Sequence, residues 1–312
     1  MSYWQDKRVL VTGGAGFIGK TLVPKLEGLG SSIFVPRSKV FDLTKEKDVE
    51  NVFNEFKPDI VIHLAADSGG IGYLKSNPGK VYFNNVMMNT LLMEASRQYG
   101  LGKFVTINSV NCYPENAKIP LKESFLWGGR PEKSVSGYGL SKRMVIYQSE
   151  AYRVQYNFNS VNLILDNVYG PSDNFNLSSA RVIPALIRKC IEARDNSADN
   201  IVVWGTGTPK RSFLFVEDAV NGIILATEMY KGVDPVNIGS ILEISIHDLT
   251  ELIAEMVGYN GRIIWDSAKP DGQSRRCLDV SKAKKEFGFD AKIDLRDGLM
   301  KTIEWYNMRQ KI

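Results

Sequence analysis

Histidine is nearly missing from this sequence: His63 and His247 are the only two in 312 residues. A zinc site built on imidazoles has no basis here, and no metal is expected. Cysteine is almost as scarce. Cys112, Cys190 and Cys277 are odd in number and lack C-x-x-C spacing, which argues against a disulfide framework and for reduced thiols in a cytoplasmic protein. No apolar run reaches the roughly 18 residues that a membrane span requires. The opening residues 1–8 lack the charged-then-apolar build of a signal peptide. Long lysine and arginine blocks are absent too, and the net charge is only +4. That implies no nucleic-acid partner but suits an anionic small substrate.

What remains is an ordinary globular balance, 44% hydrophobic and 24% charged, in a chain long enough for a large α/β domain with a smaller companion. Apolar runs at 7–12, 33–35, 59–66, 103–107 and 160–165 read as strands. Helical patterns at 16–28, 84–99 and 138–155 lie between them. Strands alternating with helices imply a doubly wound, Rossmann-type parallel sheet. After Asp166 the chain turns to Asn-, Ser-, Gly- and Pro-rich loops, with strand-like pieces at 236–239 and 262–265 around a helix at 245–257. The expected division is a cofactor-binding region over 1–165 and a smaller α/β substrate-binding region over 166–312, some of whose segments return to the first. No internal repeat is visible.

Thr12-Gly13-Gly14-Ala15-Gly16-Phe17-Ile18-Gly19 satisfies both Gly-x-Gly-x-x-Gly and Gly-x-x-Gly-x-x-Gly. Following a buried strand and opening a helix, such a turn lets backbone approach a pyrophosphate. The second strand runs into Val35-Pro36-Arg37-Ser38-Lys39, which has no acid to hold a ribose and two bases. Arg37 offers a bidentate fork to a 2′-phosphate, so NADP(H) is favoured over NAD; a solvated basic loop is the alternative. Tyr138 and Lys142 stand four apart on one helix face. An ammonium beside a phenol is expected to lower the tyrosine pKa and ready it for proton transfer. Ser109, just past the fourth strand, adds a donor to the reacting oxygen. A Tyr-x-x-x-Lys pair alone is common; its value lies in the company of the glycine turn and Ser109.

Together these features resemble the extended short-chain dehydrogenase/reductase family, and within it the GDP-L-fucose synthase branch. Gly69-Gly70-Ile71-Gly72, the stretch from Asn167 to Phe175, Val182-Ile183-Pro184-Ala185-Leu186-Ile187-Arg188, Val203-Trp204-Gly205-Thr206-Gly207-Thr208-Pro209 and Lys269-Pro270-Asp271-Gly272 carry the likeness over nearly the whole chain. The resemblance implies an NADP(H) site on Gly13, Gly16, Phe17, Ile18, Gly19 and Arg37. Asp42, Leu43, Leu64, Ala65, Ala66 and Lys142 complete it. It implies catalysis by Ser109, Tyr138 and Lys142, and a GDP-linked keto-deoxy sugar as substrate. Ser109, Asn111, Asn167 and Arg181 would meet that sugar, with Val182, Trp204, Arg211 and Asp271 on the nucleotide side. Arg211 would lie near the diphosphate, and Trp204 would wall the base or sugar, core packing being its alternative. A homodimer through helices 84–99 and 138–155 is also implied.

Two positions depart from the pattern. Bifunctional members of that branch carry a Cys two residues after the catalytic Ser and a His just before Val-Ile-Pro-Ala-Leu, and these move protons at the carbons flanking the ketone. Here Asn111 and Arg181 stand in their places. An amide does not titrate usefully, and a guanidinium keeps its proton. The expected activity is therefore reduction at carbon 4 without epimerisation. Alternatives are a bifunctional enzyme recruiting Cys112, a redox-neutral epimerase or dehydratase, and a non-catalytic NADP(H) sensor. His63 is expected to pack in or beside the cofactor sheet.

Overall fold

The computed structural model describes residues 2–269 and 271–310; Pro270 of the Lys-Pro-Asp-Gly motif lies outside the described residues. β1 (Arg8–Thr12) leads into the glycine turn and α1 (Gly19–Gly28). The helix starts later than the 16–28 pattern suggests because the Gly16 N–H first closes a tight turn onto the Gly13 carbonyl at 2.9 Å. β2 (Ser32–Phe34), α2 (Glu46–Phe56) and β3 (Ile60–His63) follow. After the short α3 (Ile71–Ser76), α4 (Pro78–Gln98) begins earlier than the expected 84. Its proline sits in the first turn, where a missing N–H loses no intrahelical bond. β4 (Lys103–Ser109), α5 (Ser136–Tyr156) and β5 (Ser160–Leu165) complete this half.

Beyond Asp166 come β6 (Asn167–Tyr169), α6 (Val182–Asp195), β7 (Asn200–Trp204), β8 (Lys210–Phe215) and α7 (Val216–Met229). β9 (Val236–Ile238), β10 (Glu243–Ser245), α8 (Ile246–Val257) and β11 (Arg262–Asp266) follow. β12 (Arg275–Arg276), α9 (Ser281–Phe287) and α10 (Leu295–Gln310) come last.

The principal sheet has the order β2-β1-β3-β4-β5-β9, and every neighbouring pair is parallel. Successive residues of its strands face opposite sides. Val9, Val11, Ile60, Ile62, Val105 and Val161 join one apolar cluster with α1 and α7 residues such as Leu22 and Ala219. Leu10, Val61, Phe104 and Ile164 join the other, with Val52 of α2, Leu92 of α4 and Ile146 of α5. Helices thus cover both faces, which is why the strands read as near-continuous apolar runs.

β9 belongs to this sheet: Leu163 pairs with Val236 and Leu165 with Ile238. The chain after Asp166 therefore leaves the sheet and returns to it, and α7 packs back on α1 and β5. The second layer centres on β8, flanked by β10 and β12 at 210–212 and by β6 at 213–215, with β7 and β11 as a separate parallel pair. Among the described residues no helix is long and apolar enough to cross a membrane. Strand order reverses between β1 and β3, so a crevice opens past the C-terminal ends of those strands, where α/β sheets bind ligands.

Candidate active site

That crevice is a cleft of about 990 Å³. At one end Gly13 holds φ +69°, and a Cβ there would come within 2.7 Å of the Ala65 backbone nitrogen. Only glycine fits where the loops after β1 and β3 meet this closely. Gly16, Phe17, Ile18 and Gly19 lead into α1, whose N-terminus has no side-chain cap, leaving its amides to a bound anion. Arg37, Asp42 and Leu43 line the same end with Leu64, Ala65 and Ala66. Arg37 is exposed. Asp42 Oδ1 accepts from the Thr44 N–H and hydroxyl at 3.1 and 2.7 Å. Those hydrogen bonds hold its carboxyl below the usual range.

Ser109, Asn111, Tyr138 and Lys142 line the middle of the cleft. Ser109 ends β4, where its Oγ accepts the Asn111 N–H at 3.3 Å and starts a tight 3-10 turn over 110–112. Tyr138 and Lys142 project from the first turns of α5. Lys142 is buried, donates to the Ile107 carbonyl at 2.9 Å and lies 5.8 Å from the Tyr138 ring centre. Burial pulls its ammonium down to about 8. The expected lowering of the Tyr138 pKa does not hold. Burial pushes this phenol up to about 12, against the Arg181 charge and the Ser109 hydroxyl, which act in the opposite sense. Lys142 turns its ammonium to Ile107 rather than to the phenol, so desolvation wins.

His63 packs behind the site in the expected structural role. Its Nδ1 meets Thr12 Oγ1 at 2.6 Å and its Nε2 meets Asn89 Oδ1 at 2.8 Å, while Asn89 Nδ2 donates to the Ser141 carbonyl at 3.3 Å. A polar chain thus ties β1 and β3 to α4 and α5. Burial and the Lys142 charge hold His63 down at about 3, so the imidazole is neutral.

Asn167 and Arg181 also line the cleft. Arg181 pairs with the buried Asp173 at 2.9 Å and stacks 5.2 Å over the Phe17 ring of the glycine turn. Asp173 Oδ2 is buried without a partner among the described residues. Val182, Trp204, Arg211 and Asp271 do not line this cleft. Val182 packs against the core as the first residue of α6. Trp204 is 52% exposed, with the Lys269 ammonium 5.4 Å above its ring. Asp271 accepts from the Thr206 N–H and hydroxyl at 2.7 and 2.8 Å, fixing the turn after β7.

Arg211 donates to the Gln273 carbonyl at 2.5 Å, and Gln273 in turn binds Arg276. Arg276 donates to Asn111 Oδ1 at 2.6 Å. Sequence reasoning missed Arg276, which carries no motif and follows the Lys-Pro-Asp-Gly stretch by a few residues. It missed Asp166 too, whose carboxyl accepts from Ser212 Oγ at 2.5 Å and is pushed by burial to about 7.

A family model described as "NAD dependent epimerase/dehydratase family" matches residues 9–239. GDP-L-fucose synthase 1 of Arabidopsis thaliana is 37% identical, covering 98% of this chain and 95% of its own. A solved GDP-6-OMe-4-keto-L-xylo-heptose reductase from C. jejuni matches with TM-score 0.91 at 26% identity, over 97% of this chain and 98% of that one. A GDP-L-fucose synthetase from Naegleria fowleri bound to NADP matches with TM-score 0.90 at 26% identity, over 100% of this chain and 97% of that one. The matched residues run from β1 through β9 and take in the glycine turn, Ser109, Tyr138 and Lys142. This chain belongs to the NAD dependent epimerase/dehydratase family, the extended short-chain dehydrogenases/reductases.

Proposed function

We propose that the chain is an NADPH-dependent reductase of the carbon-4 ketone of a GDP-4-keto-6-deoxy sugar, hexose or heptose, acting without epimerisation. The observation that carries this reading is the state of two positions beside an intact reductase triad. Asn111 is tied to Arg276, and Arg181 to Asp173. Neither side chain takes a proton from a carbon acid near neutral pH. Similarity to the heptose reductase supports the same branch.

NADP(H) is the cofactor. The close approach at Gly13, the uncapped start of α1 and the acid-free basic loop at Arg37 and Lys39 fit a dinucleotide with a 2′-phosphate. When bound, it supplies a hydride to the carbonyl carbon. Tyr138 donates its proton to the carbonyl oxygen as the alcohol forms, and the phenol recovers a proton from solvent. A phenol held at about 12 is fully protonated across the physiological range, the state a proton donor needs. Ser109 hydrogen-bonds the same oxygen, and Lys142 holds the nicotinamide ribose. Asn167 and Arg181 face the sugar, while Arg211, Trp204, Val182 and Asp271 serve the nucleotide beyond the cleft.

Cys112 is a poor substitute for the missing epimerisation residue. Its side chain lies in the apolar cluster with Val110, Tyr113 and Leu121, and burial pushes the thiol up to about 12. The test is the product. With NADPH and GDP-4-keto-6-deoxy-mannose, NMR is expected to show carbon 4 reduced and the configuration at carbons 3 and 5 retained. Inversion at either carbon would overturn the reading.

A further inference from the structure

Arg276 lies on β12, in register with Arg211 of β8. Its Nη1 donates to Asn111 Oδ1 at 2.6 Å, while Nε and Nη2 both donate to Gln273 Oε1, at 2.9 and 2.6 Å. A guanidinium has donors only, so the amide atom facing it is oxygen. A flipped amide would set two donors against each other and forfeit a charge-assisted bond. The Asn111 NH2 group is therefore turned away from Arg276. Among the described residues it donates to none, and Asn111 lines the cleft beside Ser109 and Tyr138.

The backbone under this amide is equally constrained. Its N–H donates to Ser109 Oγ. Its carbonyl oxygen packs onto Gly139 of α5, where any Cβ would overlap it. A donor on Asn111, whose backbone is tied to Ser109, faces the same cleft that Ser109 and Tyr138 line, so it suits a group neighbouring the oxygen proposed for those two residues. Of the two carbons flanking a carbon-4 ketone in a 6-deoxy sugar, only carbon 3 bears a hydroxyl; carbon 5 bears the ring oxygen and the deoxygenated carbon 6.

We propose that Arg276 is a positioning residue that aims the Asn111 NH2 at the carbon-3 hydroxyl, making this pair the determinant that selects 3-hydroxy over 3-deoxy keto-sugars. The inference rests on the substrate class proposed above. Position 111 then does more than lack a titrating group. A fixed neutral donor reads the hydroxyl on the carbon where such a group would have moved a proton.

The experiment compares GDP-4-keto-6-deoxy-mannose with its 3-deoxy counterpart in the parent, Asn111→Ala, Arg276→Met and the double variant. The parent is expected to prefer the 3-hydroxy sugar by about tenfold or more in kcat/KM, the scale of one buried hydrogen bond. Asn111→Ala and Arg276→Met should each lose that preference, and the double variant should lose no more than either one. A parent without the preference, an Arg276→Met protein that keeps it, or losses that multiply in the double variant would each overturn the proposal. If Arg276→Met fails to fold, Arg276→Lys, which keeps the charge without the planar fork, carries the same comparison. Should the parent reduce neither sugar, the function reading fails. The affinities of the four proteins for GDP-mannose and GDP-3-deoxy-mannose, measured by calorimetry with NADP+ present, then decide the inference separately, by the same pattern of preference.

Discussion

At Tyr138 and Lys142 opposing effects are resolved by burial. The phenol rises to about 12 and the ammonium falls to about 8, each because its charged form loses water. Spacing made the pair legible in the sequence, but spacing carries no information on where the ammonium turns; in the fold it turns to the Ile107 carbonyl. Tyr138→Phe should lower kcat by about a hundredfold or more while leaving NADPH affinity intact, since only the proton donor is lost. Stopped-flow NADPH oxidation with a fluorescence binding titration checks both halves. An unchanged rate would remove Tyr138 from the chemistry. Lys142 supplies a pH test. Its folded pKa lies below its ordinary one, so in the cofactor-free protein it carries full charge only well below pH 8. NADPH affinity should weaken as pH rises through about 8, whereas Lys142→Met should bind weakly with no such step. Arg181 and Asn111 were legible as departures from a family pattern. Arg276, the partner of Asn111, was not, because that pairing joins residues far apart in the chain that only the second layer of the fold brings together; Asp173 lies in the same loop as Arg181, but no sequence pattern marks their pairing.

The elements hold the site through two contacts behind it. α5 lies so close to the turn after Ser109 that Gly139 has no room for a Cβ against the Asn111 carbonyl. Gly139→Ala should push the catalytic helix off that turn, lowering both the melting temperature and kcat/KM. A variant with parental values of both would show that the helix has slack there. The second contact is the chain from Thr12 through His63 and Asn89 to Ser141. His63 is neutral in the fold, at about 3 against its ordinary 6.5. Its contribution is therefore complete above about pH 6.5 and is lost as pH falls towards 3. His63→Gln does not titrate. Between pH 7 and pH 5 the unfolding free energy of the parent should fall by about 2 kcal/mol relative to that variant, as urea titrations at the two pH values will read. Periodicity read the strands of the first half and the helices at 16–28, 84–99, 138–155 and 245–257, but not α2, α7, α9, α10 or β8. Helix ends were not clear, because α1 waits for the Gly13–Gly16 turn and α4 starts at Pro78.

On the scale of the whole molecule, one cofactor sheet is built from both halves of the chain. Local texture marked where the chain leaves the sheet after Asp166, but β9 returns through a pairing with β5 that only the assembled sheet displays. The outer faces of α4 and α5 leave Phe83, Tyr147 and Val154 exposed, the last at 89%. We propose that they pair with a second copy of the chain. Tyr147→Glu with Val154→Glu should then convert a dimer to a monomer by light scattering, and a parent that is itself monomeric would end that proposal. The most direct test of the account incubates the protein with GDP-4-keto-6-deoxy-mannose in heavy water without cofactor. With Asn111 and Arg181 unable to relay protons, carbons 3 and 5 should take up deuterium no faster than in protein-free buffer. Protein-dependent deuterium at either carbon would contradict reduction without epimerisation.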